Sequence, residues 1–332
     1  MYSKYFGFKD LPFQLSPDSR FFYGSSGHEK ALAYLRYGVE QGEGFIVITG
    51  EIGAGKTTLV EHLLSTLDSR RFVAARVVTT QLNADDMLRS VASAFGVTQE
   101  GLDKASLLRR LEGFLRQIHH QNKRSLLLID EAQNLAVGTL EELRMLSNFS
   151  NGPRPLLQSF LLGQPQFRAT IARPELEQLR QRVIASYHLG PLCAEETRAY
   201  VEHRLRTVGW RNDPRFSDEA FRLIHENAEG VPRRINTLCS RLLLFVFLEE
   251  KHTIDGDVVR AVWRDLSGEL PLPVELGRSR LAENGARSAA AAGPLPDVGG
   301  RLEALEQQVS AHDRTIRQAM NLAVRYLERG SP

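Results

Sequence analysis

Eight residues constrain this chain more than any others: Gly50, Glu51, Ile52, Gly53, Ala54, Gly55, Lys56 and Thr57. They match G-x-x-x-x-G-K-S/T, the spacing of a loop that wraps phosphate groups. The flanks give the match its weight. Phe45-Ile46-Val47-Ile48-Thr49 is a short β-branched apolar run, which reads as a buried strand. Thr58-Leu59-Val60-Glu61-His62-Leu63-Leu64 follows with helical spacing. Strand, glycine loop and helix in that order aim backbone N–H groups and a helix N-terminus at phosphate oxygens. Lys56 would reach the β- and γ-phosphates as a point charge, Thr57 would offer its hydroxyl to Mg²⁺, and the phosphate contacts would run on to Thr58.

A second motif supplies the acids. Ser125-Leu126-Leu127-Leu128-Ile129-Asp130-Glu131 is an apolar strand ending in two carboxylates. Asp130 is expected beside Thr57, holding Mg²⁺ through water. Glu131 is expected to orient and polarise an attacking water, because phosphoryl transfer needs positioning more than covalent chemistry. The guanine-reading N-K-x-D is missing: Asn122-Lys123-Arg124-Ser125 lacks the aspartate. The L-S-G-G-Q of transport cassettes is incomplete at Leu266-Ser267-Gly268-Glu269-Leu270. ATP hydrolysis is the reading left.

Three further positions are candidates. Gln164, after Leu162-Gly163, ends a strand expected between the two motif strands and would sense the γ-phosphate. Arg180 and Arg182 precede a fifth strand, where an arginine can enter a neighbouring subunit's site; both remain open, with Arg182 ahead. In Gly230-Val231-Pro232-Arg233-Arg234, Arg233, or else Arg234, would reach the γ-phosphate from a helical lid and couple nucleotide state to domain angle.

Between 45 and 190, strands (45–49, 72–80, 125–130, 156–163, 183–189) alternate with helical patterns (83–96, 103–121, 137–150), which predicts a three-layer α/β domain with a parallel sheet. Residues 1–44 form an aromatic-rich segment expected to pack on that nucleotide domain, which runs over 45–191. Residues 192–268 show helical patterns and no strand signal, hence a small all-α lid. Residues 269–300 are rich in Pro, Gly and Ala and read as a disordered linker. Over 301–329, Leu302, Leu305, Val309, Ile316, Ala319, Ala323 and Tyr326 recur at spacings of mostly 3 and 4, about four imperfect heptads. That amphipathic helix either self-associates, binds a partner, or docks on its own chain.

Composition excludes several classes. The 332 residues, 42% hydrophobic and 25% charged, fit a soluble globular chain of two domains plus extras. A net charge of +2 argues against an obligatory polyanion partner. No apolar run reaches the roughly 18 residues of a membrane span. The first residues show no signal-peptide core. Two cysteines, Cys193 and Cys239, allow neither a disulfide framework nor a four-cysteine zinc site, and both are expected in the core. A reducing cytoplasm is the expected compartment.

Together, the phosphate loop, the D-E strand, the polar fourth strand, the arginine before strand five and the G-x-P-R lid resemble the AAA+ ATPases. The flanks Phe6-Gly7-Phe8, Pro12-Phe13-Gln14-Leu15-Ser16-Pro17-Asp18, His28, Ala31-Leu32, Gly163-Gln164-Pro165, Gln178-Leu179-Arg180-Gln181-Arg182, and Glu195-Glu196-Thr197 with Tyr200 and His203-Arg204-Leu205 resemble the general-secretion-pathway A-type ATPases. The wording of 33–35 and 42–51 is similar to the subfamily of exosortase (PEP-CTERM) and exopolysaccharide loci. The resemblance covers about residues 1–270. It implies an oligomeric ATPase that binds ATP and Mg²⁺ and drives an envelope secretion or polysaccharide export machine through a protein partner, on the cytoplasmic side or peripheral at the inner membrane. Secretin-assembly members carry a membrane span and a peptidoglycan-binding domain after the ATPase; here the linker and heptad helix take that place. Gln164 also differs from the Asn or Thr common in the superfamily. Two alternatives stand beside this reading. One is an ATP-dependent DNA-binding regulator of the transposition-ATPase type, favoured by the lid residues Arg204, Arg206, Arg211, Arg215 and Arg222 but not by the net charge or by any basic arm. The other is an ATP-binding scaffold with little turnover.

Overall fold

The computed structural model describes residues 2–16, 18–78 and 82–269. The linker and heptad expectations for 270–332 lie outside the described residues. The chain opens with α1 (Tyr2–Tyr5) and α2 (Ser26–Gln41). An α/β region follows: β1 (Phe45–Gly50), α3 (Lys56–Thr66), β2 (Phe72–Val78), α4 (Ala84–Ala94), α5 (Lys104–His120), β3 (Arg124–Asp130), α6 (Val137–Leu146), β4 (Ser150–Asn151), β5 (Arg154–Pro155), β6 (Leu157–Gly163), α7 (Gln166–Ile171), α8 (Glu177–Arg180) and β7 (Val183–Leu189). A helical region closes it: α9 (Ala194–Thr207), β8 (Arg215–Phe216), α10 (Asp218–Ala228), α11 (Pro232–Leu248), β9 (Thr253–Ile254) and α12 (Gly256–Glu269).

Five strands form one parallel sheet in the order β2-β3-β6-β1-β7. The order follows from burial. Every residue of β1 and β6 is buried, and so is β3 after Arg124, as sequences apolar on both faces require. β2 and β7 carry exposed positions and take the edges. Alternation splits each strand between two layers. Phe45 and Val47 join a core with residues of α4, α5 and α6; Ile46 and Ile48 join another with residues of α2 and α3. Asn83, Asp103 and Ser217 start α4, α5 and α10 by accepting from backbone N–H groups of the first turn, worth about 1 kcal/mol each.

Register fixes the site. Thr49 lies opposite Gly163, and Ile129 opposite Leu161, so the ends of β1, β3 and β6 share one edge. Ligands of parallel sheets bind beyond these carboxyl ends.

The sequence expectations are modified in three places. The aromatic segment does not pack only on the sheet: Phe6, Phe8, Phe13 and Phe21 enter the core of the helical region with Leu205, Leu238 and Val259. Four short amphipathic helices leave room that large rings fill, each burying roughly 150–250 Å². The helical region is also not free of strands, since β8 and β9 pair in parallel over two residues. Finally, Cys239 is buried but Cys193 is exposed. Cys193 occupies the N-cap of α9, where its backbone N–H donates to Glu196 (3.2 Å), so it terminates a helix and fills no core.

Candidate functional site

The phosphate loop joins β1 to α3. Gly53 (φ 83°) and Gly55 (φ 96°) lie in the left-handed region. Both are also crowded: a Cβ at Gly53 would meet the Arg233 Cβ at 2.3 Å, and one at Gly55 the His28 imidazole at 2.8 Å. Lys56 is 6% exposed, and its ammonium donates to the carbonyls of Gly50 (2.8 Å) and Glu51 (2.9 Å) inside the loop. Burial pushes its pKa down, opposed by the charges of Glu131, Asp130 and Glu51.

His28 supports the loop from α2 and also lines the cleft that runs from it. Its Nε2 lies 3.2 Å from the Ala54 carbonyl and its Nδ1 2.7 Å from the Ser25 hydroxyl. A carbonyl only accepts, so Nε2 carries the proton and, in the neutral ring, Ser25 donates to Nδ1. Burial is the main cause of a pKa below the ordinary histidine value. Phe22, stacked on His62 of α3 at 4.0 Å, meets His28 edge-on.

The two motifs meet as their spacing predicts. The Thr57 hydroxyl donates to Asp130 Oδ2 at 2.9 Å, and Asp130 is 5% exposed. Arg76 of β2 holds the same oxygen at 3.1 Å and Glu61 at 3.0 Å. Glu131 has φ 55°. Its Oε2 accepts from the side-chain amides of Gln164 (3.3 Å) and Gln133, and the Gln133 carbonyl accepts from the Gln164 backbone N–H at 2.9 Å. A hydroxyl and a carboxylate at this distance are hard oxygen donors suited to Mg²⁺. Among the described residues no cluster of three or more His, Cys, Asp or Glu could hold a metal ion, so the fit is to an ion completed by phosphate oxygens and water.

A cleft of about 340 Å³ runs from this loop between the helical region and the N-terminal segment. Gly53, Gly55, Lys56, Thr57, Thr58 and Ile52 line it from the loop, Glu131 from just after β3, Arg233, Pro232 and Asn236 from α11, Tyr200 and Arg204 from α9, and Gln14 and Leu15 from the N-terminal segment. Arg233 also donates its backbone N–H to the Gly53 carbonyl (3.2 Å). Arg234 pairs instead with Glu229 at 2.7 Å. Arg180 and Arg182 do not line this cleft. Arg182 donates to the Ser147 hydroxyl (2.8 Å), and Arg180, exposed, to the Ala172 carbonyl (3.2 Å).

Sequence reasoning missed Arg76, Gln133, His28, Tyr200 and Asn236 as site residues. Gln133, two positions after Glu131, was the most accessible of them. The others depend on contacts between segments far apart in sequence. Arg204, counted among the lid arginines that favour the alternative DNA-regulator reading, is 6% exposed and engaged with the N-terminal segment.

Parallel sheet, phosphate loop and strand-end carboxylate fit a P-loop fold of the AAA kind, and residues 39–171 match the AAA domain family. More particularly, the chain is related to the General secretion pathway protein A of Aeromonas hydrophila, with 38% identity over 273 residues, 81% of this chain and 49% of that protein. An uncharacterised HTH-type transcriptional regulator of Methanocaldococcus jannaschii is 25% identical over 162 residues, 48% of this chain and 39% of its own length. The chain thus spans about half or less of the curated relatives it matches. Among solved structures, the Aeropyrum pernix ORC2 protein superposes with a TM-score of 0.60 at 18% identity, covering 78% of this chain and 72% of its own. Cdc6p of Pyrobaculum aerophilum gives 0.58 at 16%, covering 75% and 71%. At these identities the likeness is one of fold. Among the described residues no helix is long and apolar enough to cross a membrane.

Proposed function

We propose that this protein binds ATP with Mg²⁺ in the cleft and hydrolyses it. The observation that carries this is the convergence of Thr57 with Asp130 and of Glu131 with Gln164 at one end of a loop built to bind phosphate. The loop's N–H groups and Lys56 bind and orient the triphosphate. Thr57 and Asp130 would hold Mg²⁺, which when bound would neutralise charge on the triphosphate. Glu131 orients the attacking water and takes its proton. Gln164, hydrogen-bonded to Glu131, would sense the γ-phosphate beside it. Arg233 presents its charge from the lid, so closing the lid completes the site. Arg182, with Arg180 beside it, acts on the nucleotide of a neighbouring copy, and the working form is therefore a homo-oligomer.

The relative in Aeromonas is named for general secretion, and the identity over 273 residues supports the same setting here: a motor for an envelope secretion or exopolysaccharide export machine, working through a protein partner at the inner membrane face. Residues 301–329 would carry that contact. The DNA-regulator reading loses ground with Arg204 buried and with Arg206 and Arg222 paired to Glu202 and Glu226.

The test is phosphate release from MgATP by the full chain. Lys56→Ala is expected to abolish nucleotide binding. Glu131→Gln should retain binding and lose on the order of a hundredfold or more in turnover. Turnover unchanged by Glu131→Gln would remove the base assignment, and a wild-type chain that neither binds nor cleaves ATP would end the proposal.

A further inference from the structure

We infer that Arg204 is a positioning residue for the nucleoside end of the cleft, acting through the backbone of residues 12–14 and through Tyr200; this rests on the reading of the cleft as an ATP site. Arg204 projects from α9 and is 6% exposed. Its Nε donates to the Pro12 carbonyl (2.6 Å), its Nη2 to the Gln14 carbonyl (3.2 Å) and its Nη1 to the Tyr200 hydroxyl (2.8 Å). The guanidinium also sits 4.6 Å from the centre of the Phe21 ring. The N-terminal segment is thereby pinned to α9 at two carbonyls, on either side of Phe13.

The network continues to α11, whose own backbone contact with the phosphate loop uses neither Arg204 nor Tyr200. Tyr200 donates its hydroxyl hydrogen to Asn236 Oδ1 of α11 at 2.9 Å. The first turn of α11 reaches the phosphate loop through the Arg233 N–H and the Gly53 carbonyl. Gln14, Tyr200, Arg204 and Asn236 all line the cleft. One buried cation therefore joins the N-terminal segment to α9, and the Tyr200 hydroxyl carries the link on to α11.

Packing alone does not account for that choice of residue. Burying a charge carries a desolvation cost that an apolar side chain of similar volume avoids, so a guanidinium in a helical core is a poor way to fill space. A planar fork of five donors is suited to fixing several acceptors at set angles. Here the acceptors are main-chain carbonyls on either side of Phe13, so the ring anchors the segment in the helical core and the guanidinium sets the orientation of the backbone that lines the cleft. The phosphate end has its own support in His28 and Ser25, which makes no use of Arg204. Loss of Arg204 should therefore weaken recognition of the nucleoside and spare recognition of the phosphates.

The experiment compares two ligands on the full chain: MgATP and magnesium tripolyphosphate, which lacks base and ribose. Arg204→Met keeps the bulk of the stem. Tyr200→Phe removes one hydroxyl and keeps the ring, so it decides the matter should Arg204→Met fail to fold. Expected is a loss in ATP affinity of roughly tenfold or more for Arg204→Met, a smaller loss for Tyr200→Phe, and unchanged tripolyphosphate affinity for both. Equal losses for the two ligands, or ATP affinity unchanged in both variants, would overturn the inference. A wild-type chain that binds neither ligand would overturn the ATP reading itself, a result distinct from either of these.

Discussion

The Thr57 hydroxyl donates to Asp130 across 73 positions of sequence, at 2.9 Å. On the proposed reading, these two hard oxygens, fixed by different elements, are half of a site for Mg²⁺. Thr57→Val keeps the shape and removes the donor oxygen. The Mg²⁺ concentration for half-maximal turnover should rise roughly tenfold or more, and Thr57→Ser should restore it. A Mg²⁺ titration of phosphate release reads this directly. An unchanged Mg²⁺ requirement in Thr57→Val would exclude the hydroxyl as a ligand.

What was legible in the sequence was what local pattern determines. Residues 45–57 revealed strand, loop and helix because β-branched burial, glycine spacing and helical period coincide there. Asp130 and Glu131 were legible because an all-apolar strand ends on them. The helical region was legible from its periodicity, but β8 and β9 were not, since two-residue pairing leaves no pattern. The far end of the cleft was hidden for a different reason. Arg204 reads as one exposed basic residue among several on α9, and only its contact with Pro12 and Gln14, about 190 residues earlier, turns it inward. Aromatic residues at 6, 8, 13 and 21 announced burial without saying in which core.

His28 gives a pH prediction. Its pKa in the folded chain is lowered, chiefly by burial. Above the ordinary histidine value both states hold the neutral ring and its contribution is fully present. As pH falls below that value the unfolded chain takes up a proton that the folded chain resists, so stability declines until the folded value is passed. Glu196 and Glu29 oppose the shift without reversing it. His203 is shifted in the same direction, so a difference experiment is required. Urea midpoints at about pH 7.5 and about pH 5.5 should fall further in wild type than in His28→Gln. Equal acid losses in the two proteins would contradict the assignment.

The two cysteines should separate cleanly. Cys193 is exposed at the start of α9, whereas Cys239 is fully buried in α11 and burial pushes its thiol pKa up. A thiol reagent such as Ellman's should titrate one group in the native chain and the second only on unfolding. Cys193→Ser should leave stability within about 0.5 kcal/mol or raise it, because serine is the better N-cap. Two fast thiols in the native chain would place Cys239 at the surface and contradict the packing of α11.

Phe13 tests whether the N-terminal segment belongs to the helical core. It is 3% exposed and packs with residues of α9 to α12. Phe13→Ala should cost roughly 3–5 kcal/mol, the range for a large ring removed from a close-packed site. The chain's two tryptophans, Trp210 and Trp263, both pack against that same core and none lies in the sheet. Tryptophan fluorescence therefore follows the helical region, while far-ultraviolet circular dichroism follows the whole chain. If the rings are part of the helical core, Phe13→Ala lowers the fluorescence midpoint at least as far as the dichroism midpoint. If the segment merely lay on the sheet, the fluorescence transition would stay in place while the other moved. Because Pro12 and Gln14, on either side of Phe13, accept from Arg204, the same substitution should also weaken ATP binding, which links the stability of the segment to the shape of the cleft.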